Sequence, residues 1–262
     1  MENNGINICI VHYNTPKMTE CLIKSINKFV KNKPVDNIYI FDNSDKQPFQ
    51  YRQDNIKYID NTKKQIIDFD EWGKNYPYKM EPFYSSKHSY SVQTFMDMID
   101  KPFILMDSDI LLKCDISILW DEKMAFIGDV VGKRVLPFIC FINPKILKEK
   151  NVKYFDDRFT YDLNKDKTGT KKYDTGYTLW ANKGILPHKT IKFFKYAEHY
   201  AAASYDKEIF KQRHKNQPSQ DKWLEQNKRY WSDTPKQPSK QPSAPVEKKK
   251  KVTQMLAMLD RA

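Results

Sequence analysis

The chain has 262 residues, 40% hydrophobic and 14% aromatic, with 16 Tyr and 15 Phe against only 7 Gly, and it carries a formal net charge of +12. This composition excludes a fibrous or wholly disordered chain and leaves room for one sizeable domain with a real core. No apolar run approaches the roughly 18 residues of a membrane-spanning helix, and no basic segment followed by an apolar stretch opens the sequence. Cys9, Cys21, Cys114 and Cys140 lack the paired spacing of a zinc site, so reduced core thiols and a cytoplasmic setting are expected.

In chain order, Ile6 to Val11 is an apolar run suited to a first buried strand. It stops at His12-Tyr13-Asn14-Thr15, and Pro16 is placed to start a helix whose Met18, Leu22, Ile26 and Phe29 recur at helical spacing. Val35 to Phe41 breaks at Asp42-Asn43-Ser44-Asp45, and Ile56 to Ile59 breaks at Asp60-Asn61. Strand, helix and strand with polar tips predict an α/β fold on a parallel sheet. The stretch Asp70 to Ser86 is dense in aromatics, Trp72 to Tyr84, which core packing explains best. Val92, Phe95, Met96 and Ile99 then mark a helix leading to Phe103-Ile104-Leu105-Met106-Asp107-Ser108-Asp109.

That last run is the chemical focus. It reads as a buried strand ending in two carboxylates spaced i, i+2, where open α/β sheets bind their ligands. Like charges there repel, so either a hard divalent cation binds them and bridges to a phosphate-bearing substrate, or they form an acidic turn. Spacing alone leaves both open. Downstream, Ala125 to Val131, Val135 to Ile142 and Ile191 to Tyr196 read as strands. The polar stretch Asp156 to Lys172 reads as a mobile loop, and Tyr205 to Trp231 as the last folded piece.

The order of these features resembles that of the GT-A fold nucleotide-sugar glycosyltransferases, family 2-like and DxD-containing: a strand ending near Thr15, a second ending in Asp42-Asn43, Lys87-His88-Ser89 before a helix, then Asp107-Ser108-Asp109, and His199-Tyr200-Ala201-Ala202-Ala203-Ser204. The resemblance covers roughly residues 5 to 205 and implies a Rossmann-like, mostly parallel central sheet with flanking helices and a flexible C-terminal tail. It implies that Asp107, Asp109 and His199 hold Mn²⁺ (or Mg²⁺), an imidazole favouring manganese. Asp107 would also contact the donor ribose. Tyr13, Thr15 and Asp42 would line the donor pocket, with Asp42 on the base, and Lys87 and His88 would meet phosphates or sugar. Asp174 would be the catalytic base, with Asp157 and Asp162 as alternatives. The implied reaction moves a sugar from a nucleotide-diphosphate donor, UDP-sugar by preference, to an acceptor hydroxyl of a glycan, lipid or protein. Inversion is favoured and retention stays open.

Two rivals stand beside it. A haloacid-dehalogenase-like Mg-dependent phosphatase also uses Asp-x-Asp at a strand end, and Gly128-Asp129 imitates its later acid, but the motif arrives late and Gly128-Asp129 follows too closely. A nucleic-acid-binding protein accounts for the basic charge but not for buried-strand acids, so no nucleic-acid partner is expected. The expected organisation is a catalytic domain over 1–231, a disordered Pro/Ser/Lys linker over 232–247 and a basic amphipathic segment over 248–262. From Ser232 onward seven basic residues face three acids, which leaves +8 on the rest. Lysines 248–251, followed by Val252, Met255, Leu256 and Leu259 on one helical face, suit peripheral docking to an anionic membrane or a partner protein, against a solvated tail.

Overall fold

A computed structural model of the chain describes residues 5–68, 71, 83–156, 161–162, 171–172, 175–200 and 217–233. The elements run β1 (Ile6–His12), α1 (Pro16–Phe29), β2 (Val35–Asp42), β3 (Ile56–Asp60), α2 (Phe83–Met98), β4 (Phe103–Asp107), β5 (Ile110–Leu112), β6 (Phe126–Val131), β7 (Arg134–Ile142), α3 (Pro144–Glu149), β8 (Tyr161–Asp162), β9 (Lys171–Lys172), α4 (Tyr177–Ala181), β10 (His188–Ile191), β11 (Ala197–His199) and α5 (Gln220–Gln226). All belong to the first of two units, Met1–Ser232 and Asp233–Ala262. Beyond Ser232 and Asp233, the expected linker and basic segment lie outside the described residues.

Seven strands form one sheet in the order β10-β6-β7-β4-β1-β2-β3. The pairs β1–β2, β1–β4, β2–β3 and β10–β6 are parallel, and β7 alone runs antiparallel to its neighbours β4 and β6. This is the mostly parallel, Rossmann-like α/β sheet that the sequence predicts. Every residue of β1 is buried, and strand periodicity sends alternate side chains to opposite faces. Ile6, Ile8 and Ile10 pack with Ile104 and Met106 of β4 and with Leu22, Ile23 and Ile26 of α1. On the other face Cys9 and Val11 pack with Phe103 and Leu105 and with Val92, Phe95 and Met96 of α2. Each buried Ile, Leu or Phe contributes about 1.5–3 kcal/mol, and a one-residue slip of β4 would reverse its faces. Its register, and hence the place of the acids that follow, is therefore fixed.

The chain steps outward from β1 through α1 to β2 and β3, then returns through α2 to β4 on the other side of β1. The two helices cover opposite faces, so the carboxyl ends of β1 and β4 flank a topological switch point, the crevice where open α/β sheets bind ligands.

Three local readings change. The expected strand Ile191 to Tyr196 is two pieces, because β10 ends at Ile191 and Phe193–Lys195 forms a 3₁₀ turn. Phe193 N donates to the buried Asp129 Oδ2 at 2.9 Å, which turns the chain off the sheet edge. The helix before β4 starts earlier than its apolar spacing shows, at Phe83, while Trp72, Tyr76 and Tyr78 lie outside the described residues. The short pair β5–β11, antiparallel with Ile110 opposite His199, has no periodic signal of its own.

Candidate active site

The period-2 alternation of β4 carries past its end. Asp107 follows Leu105 onto the α2 face, where His88 Nε2 lies 3.2 Å from its Oδ1. Ser108 turns to the α1 face, and its hydroxyl lies 3.0 Å from Thr15 Oγ1 at the start of α1. Thr15 occupies the helix N-cap, yet its side chain makes no cap bond. Its hydroxyl ties the end of β1 to the acidic turn instead.

Asp109, 8% exposed, is joined from far along the chain. Its backbone carbonyl accepts from Tyr200 N at 2.9 Å, which extends the β5–β11 ladder and brings His199 alongside. His199 Nε2 lies 3.4 Å from Asp109 Oδ1. The imidazole packs at 4.0 Å between ring centroids on Phe138, and Phe193 stands edge-on at 6.0 Å. Behind it, Tyr200 packs on Trp223 of α5 and donates to Pro218 O at 2.8 Å. Burial drives the His199 pKa down, but the charge and hydrogen bond of Asp109, with Asp107 beyond, outweigh it, and the net shift is upward. The carboxylates thus favour positive charge at this point.

Among the described residues, Asp107, Asp109 and His199 form a group whose ligand atoms all lie within 4.8 Å of one another. Two carboxylate oxygens and one imidazole nitrogen suit Mn²⁺, or Mg²⁺ with more water in its shell. The expected ligand set therefore converges, at the switch-point crevice.

The other expected residues divide. Thr15 borders the acidic turn. Lys87 precedes His88 on α2, and the Tyr13 hydroxyl donates to Asp45 Oδ2 at 3.2 Å. Asp42 faces inward: it is 0% exposed, its Oδ1 accepts from Ser44 N at 2.9 Å, and its Oδ2 accepts from Phe49 N at 2.7 Å and Tyr58 OH at 2.8 Å. That carboxylate anchors the 43–49 loop. Burial, then the Asp42 carboxylate, raises the Tyr58 pKa. Asp174 and Asp157 lie outside the described residues, as does most of the stretch 156–172. Gly176, two positions after Asp174, is left-handed at φ +75, and a Cβ there would meet Val135 O at 2.0 Å. Thr175 is tied to Ser89 of α2, whose hydroxyl donates at 3.1 Å. Asp129, the acid of the phosphatase rival, has its oxygens taken by the backbone N–H groups of Val130 and Phe193.

Asn14 was not among the expected residues. At φ 54, its Oδ1 accepts from Lys46 N and Gln47 N, and its own N–H donates to Ser44 Oγ. It clasps the two loops that rim the crevice. The signal was in the sequence: an Asn between a strand end and a helix-starting Pro is among the non-glycine residues that best tolerate this backbone. A surface cavity of about 320 Å³, lined in part by Asp100, Glu122 and Asn143, lies at the opposite end of β4, beside Pro102.

No protein-family model matches the chain, and no curated protein matches it. Among solved structures it is similar in outline to the apo WbbM bifunctional glycosyltransferase, at 14% identity over 73% of this chain and 39% of that one, TM-score 0.44. It is also similar to the galactosyltransferase LgtC in complex with donor and acceptor sugar analogues, at 11% identity over 72% and 74%, TM-score 0.43. A third is the mannosyltransferase PcManGT from Pyrobaculum calidifontis in complex with GDP-Man and Mn²⁺, at 10% identity over 97% and 68%, TM-score 0.44. The chain thus spans well under half the length of WbbM. At these identities and TM-scores the likeness says nothing of function. Among the described residues, no helix is long and apolar enough to cross a membrane.

Proposed function

We propose that this chain is a metal-dependent glycosyltransferase that moves a sugar from a nucleotide-diphosphate donor, UDP-sugar by preference, to an acceptor hydroxyl of a glycan, lipid or protein. One observation carries the reading: Asp107, Asp109 and His199 converge within 4.8 Å at the carboxyl ends of the central strands. Bound there, Mn²⁺ (or Mg²⁺) would neutralise the charge that the departing diphosphate gathers.

The chain's own groups supply the rest. Asp109 and His199, held by the β5–β11 pair, are the firmest ligands, and Asp107 shares the metal with the donor ribose. Thr15 and Tyr13 border the donor, and Lys87 offers its charge to the phosphates. Asp42 contributes by fixing the 43–49 loop. In an inverting reaction, Asp174 takes the acceptor proton as the oxygen attacks the anomeric carbon. The anchoring of Thr175 on α2 and of Gly176 against β7 supports a fixed position for the backbone that follows it. The basic segment over 248–262 serves peripheral attachment to an anionic surface. Liposome flotation of the full chain, against the same chain with Lys248 to Lys251 neutralised, separates this from a solvated tail.

The test of the function is a panel of nucleotide sugars incubated with the full chain and Mn²⁺, scored for released nucleoside diphosphate. Release from one donor class, lost on chelation, is the expected result. No metal-dependent binding or release from any donor would refute the proposal.

A further inference from the structure

His88 stands on α2 with both ring nitrogens shut off from solvent and, in the described structure, neither completes a hydrogen bond. A buried polar atom left unpaired is destabilising, so such a position calls for a partner. The charged group beside it is Asp107, with Oδ1 3.2 Å from Nε2. His88 does not belong to the mutually close set of Asp107, Asp109 and His199. It reaches Asp107 from the α2 side of the sheet, where Phe103 and Leu105 pack on the same helix. The next residue, Ser89, is buried and bonded to Thr175, which fixes the rotation of α2 that presents His88 to β4.

We propose that His88 is the positioning residue of the metal site: from 3.2 Å away, a small adjustment lets its Nε2–H donate to Asp107 Oδ1 and hold the orientation of that carboxylate when an ion binds. The proposal rests on reading Asp107, Asp109 and His199 as metal ligands. An ionised carboxylate only accepts hydrogen bonds, so the imidazole supplies the donor. This departs from the phosphate or sugar contact that the resemblance implies for His88, because the charged group beside its Nε2 is a protein carboxylate. It also accounts for the burial of a polar ring at 18% exposure beside the crevice. Outer partners of this kind are worth about 10–100-fold in metal affinity.

The experiment titrates Mn²⁺ into the full chain and reads free Mn²⁺ by electron paramagnetic resonance. The wild type, Asp109→Ala, His88→Leu and His88→Gln are compared, with a urea transition for each to confirm folding. The wild type is expected to bind and Asp109→Ala to lose binding. His88→Leu should weaken binding by about 10–100-fold, while His88→Gln, whose amide nitrogen can still donate, should stay within about 3-fold of the wild type. Equal affinity of His88→Leu and the wild type overturns the proposal, as does a Gln variant no tighter than Leu. A His88→Leu loss as complete as that of Asp109→Ala makes His88 a ligand and also overturns it. Absence of binding by the wild type overturns the metal-site reading itself. Should the Leu variant lose its cooperative transition, His88→Ala takes its place with the same expectations.

Discussion

His199 lies 3.4 Å from Asp109 through Nε2, although the two residues come from distant parts of the chain and meet only because β11 pairs with β5. Asp109→Ala removes the carboxylate that this pairing delivers. Saturating Mn²⁺ at about 100 times Kd should stabilise the wild type by about 2.7 kcal/mol, or roughly 2–4 °C of Tm per kcal/mol. Differential scanning fluorimetry should show that shift in the wild type and none in Asp109→Ala. An equal shift in both would remove Asp109 from the site.

Asp42→Asn tests the inward-facing carboxylate. The amide turns one acceptor into a donor, against either Ser44 N on one side or Phe49 N and Tyr58 OH on the other. A buried donor left unpaired costs about 1–3 kcal/mol. Urea unfolding should register that loss with or without nucleotide. A variant of unchanged stability that loses donor binding would mean that Asp42 faces the donor after all.

Gly176→Ala should be far worse than Gly132→Ala. Both glycines are left-handed, but a Cβ at Gly132 meets nothing within 4 Å, whereas at Gly176 it meets Val135 O at 2.0 Å. The backbone term alone is about 1–2 kcal/mol. Gly132→Ala should lose about that much in urea, while Gly176→Ala should lose several kcal/mol or fail to fold, because α4 cannot approach β7. Similar losses in the two variants would show that the contact with Val135 yields easily.

His12 gives an acid-side signature. Burial lowers its pKa from the usual 6.5, only partly offset by the Asp42 charge and the Gln47 carbonyl. Its ring is held between Thr19 Oγ1 at 2.8 Å and Gln47 O at 3.4 Å. The unfolded chain therefore takes up this proton first as pH falls. The contribution to stability is complete above about pH 6.5 and is lost as pH drops from there to the lower folded-state value, at up to about 1.4 kcal/mol per unit. With chelator present, the urea midpoint of the wild type should fall more between pH 7.5 and 5.5 than that of His12→Gln. His199, shifted the other way, contributes equally to both proteins and cancels in the difference. Parallel pH profiles would rule His12 out.

What could be read from the chain alone follows from where each signal resides. β4 is a continuous apolar run ended by a carboxylate, and β1 is one broken only by Asn7; burial on both faces of the sheet writes such runs directly into the sequence. Asp107 and Asp109 were visible because they end one of them. β5 and β11 were not, since three-residue strands carry no period. The 3₁₀ turn at Phe193 was hidden too, because the Asp129 bond that makes it comes from another strand.

The sequence by itself determined the α/β class and the strand that bears the two acids. Only the tertiary structure decided which polar side chains lie together. It joined His199 to Asp109, set His88 against Asp107 and turned Asp42 into the core. Strand formation depends on neighbours a few residues away, whereas a metal site or a buried carboxylate is completed by groups that chain folding brings from far along the sequence.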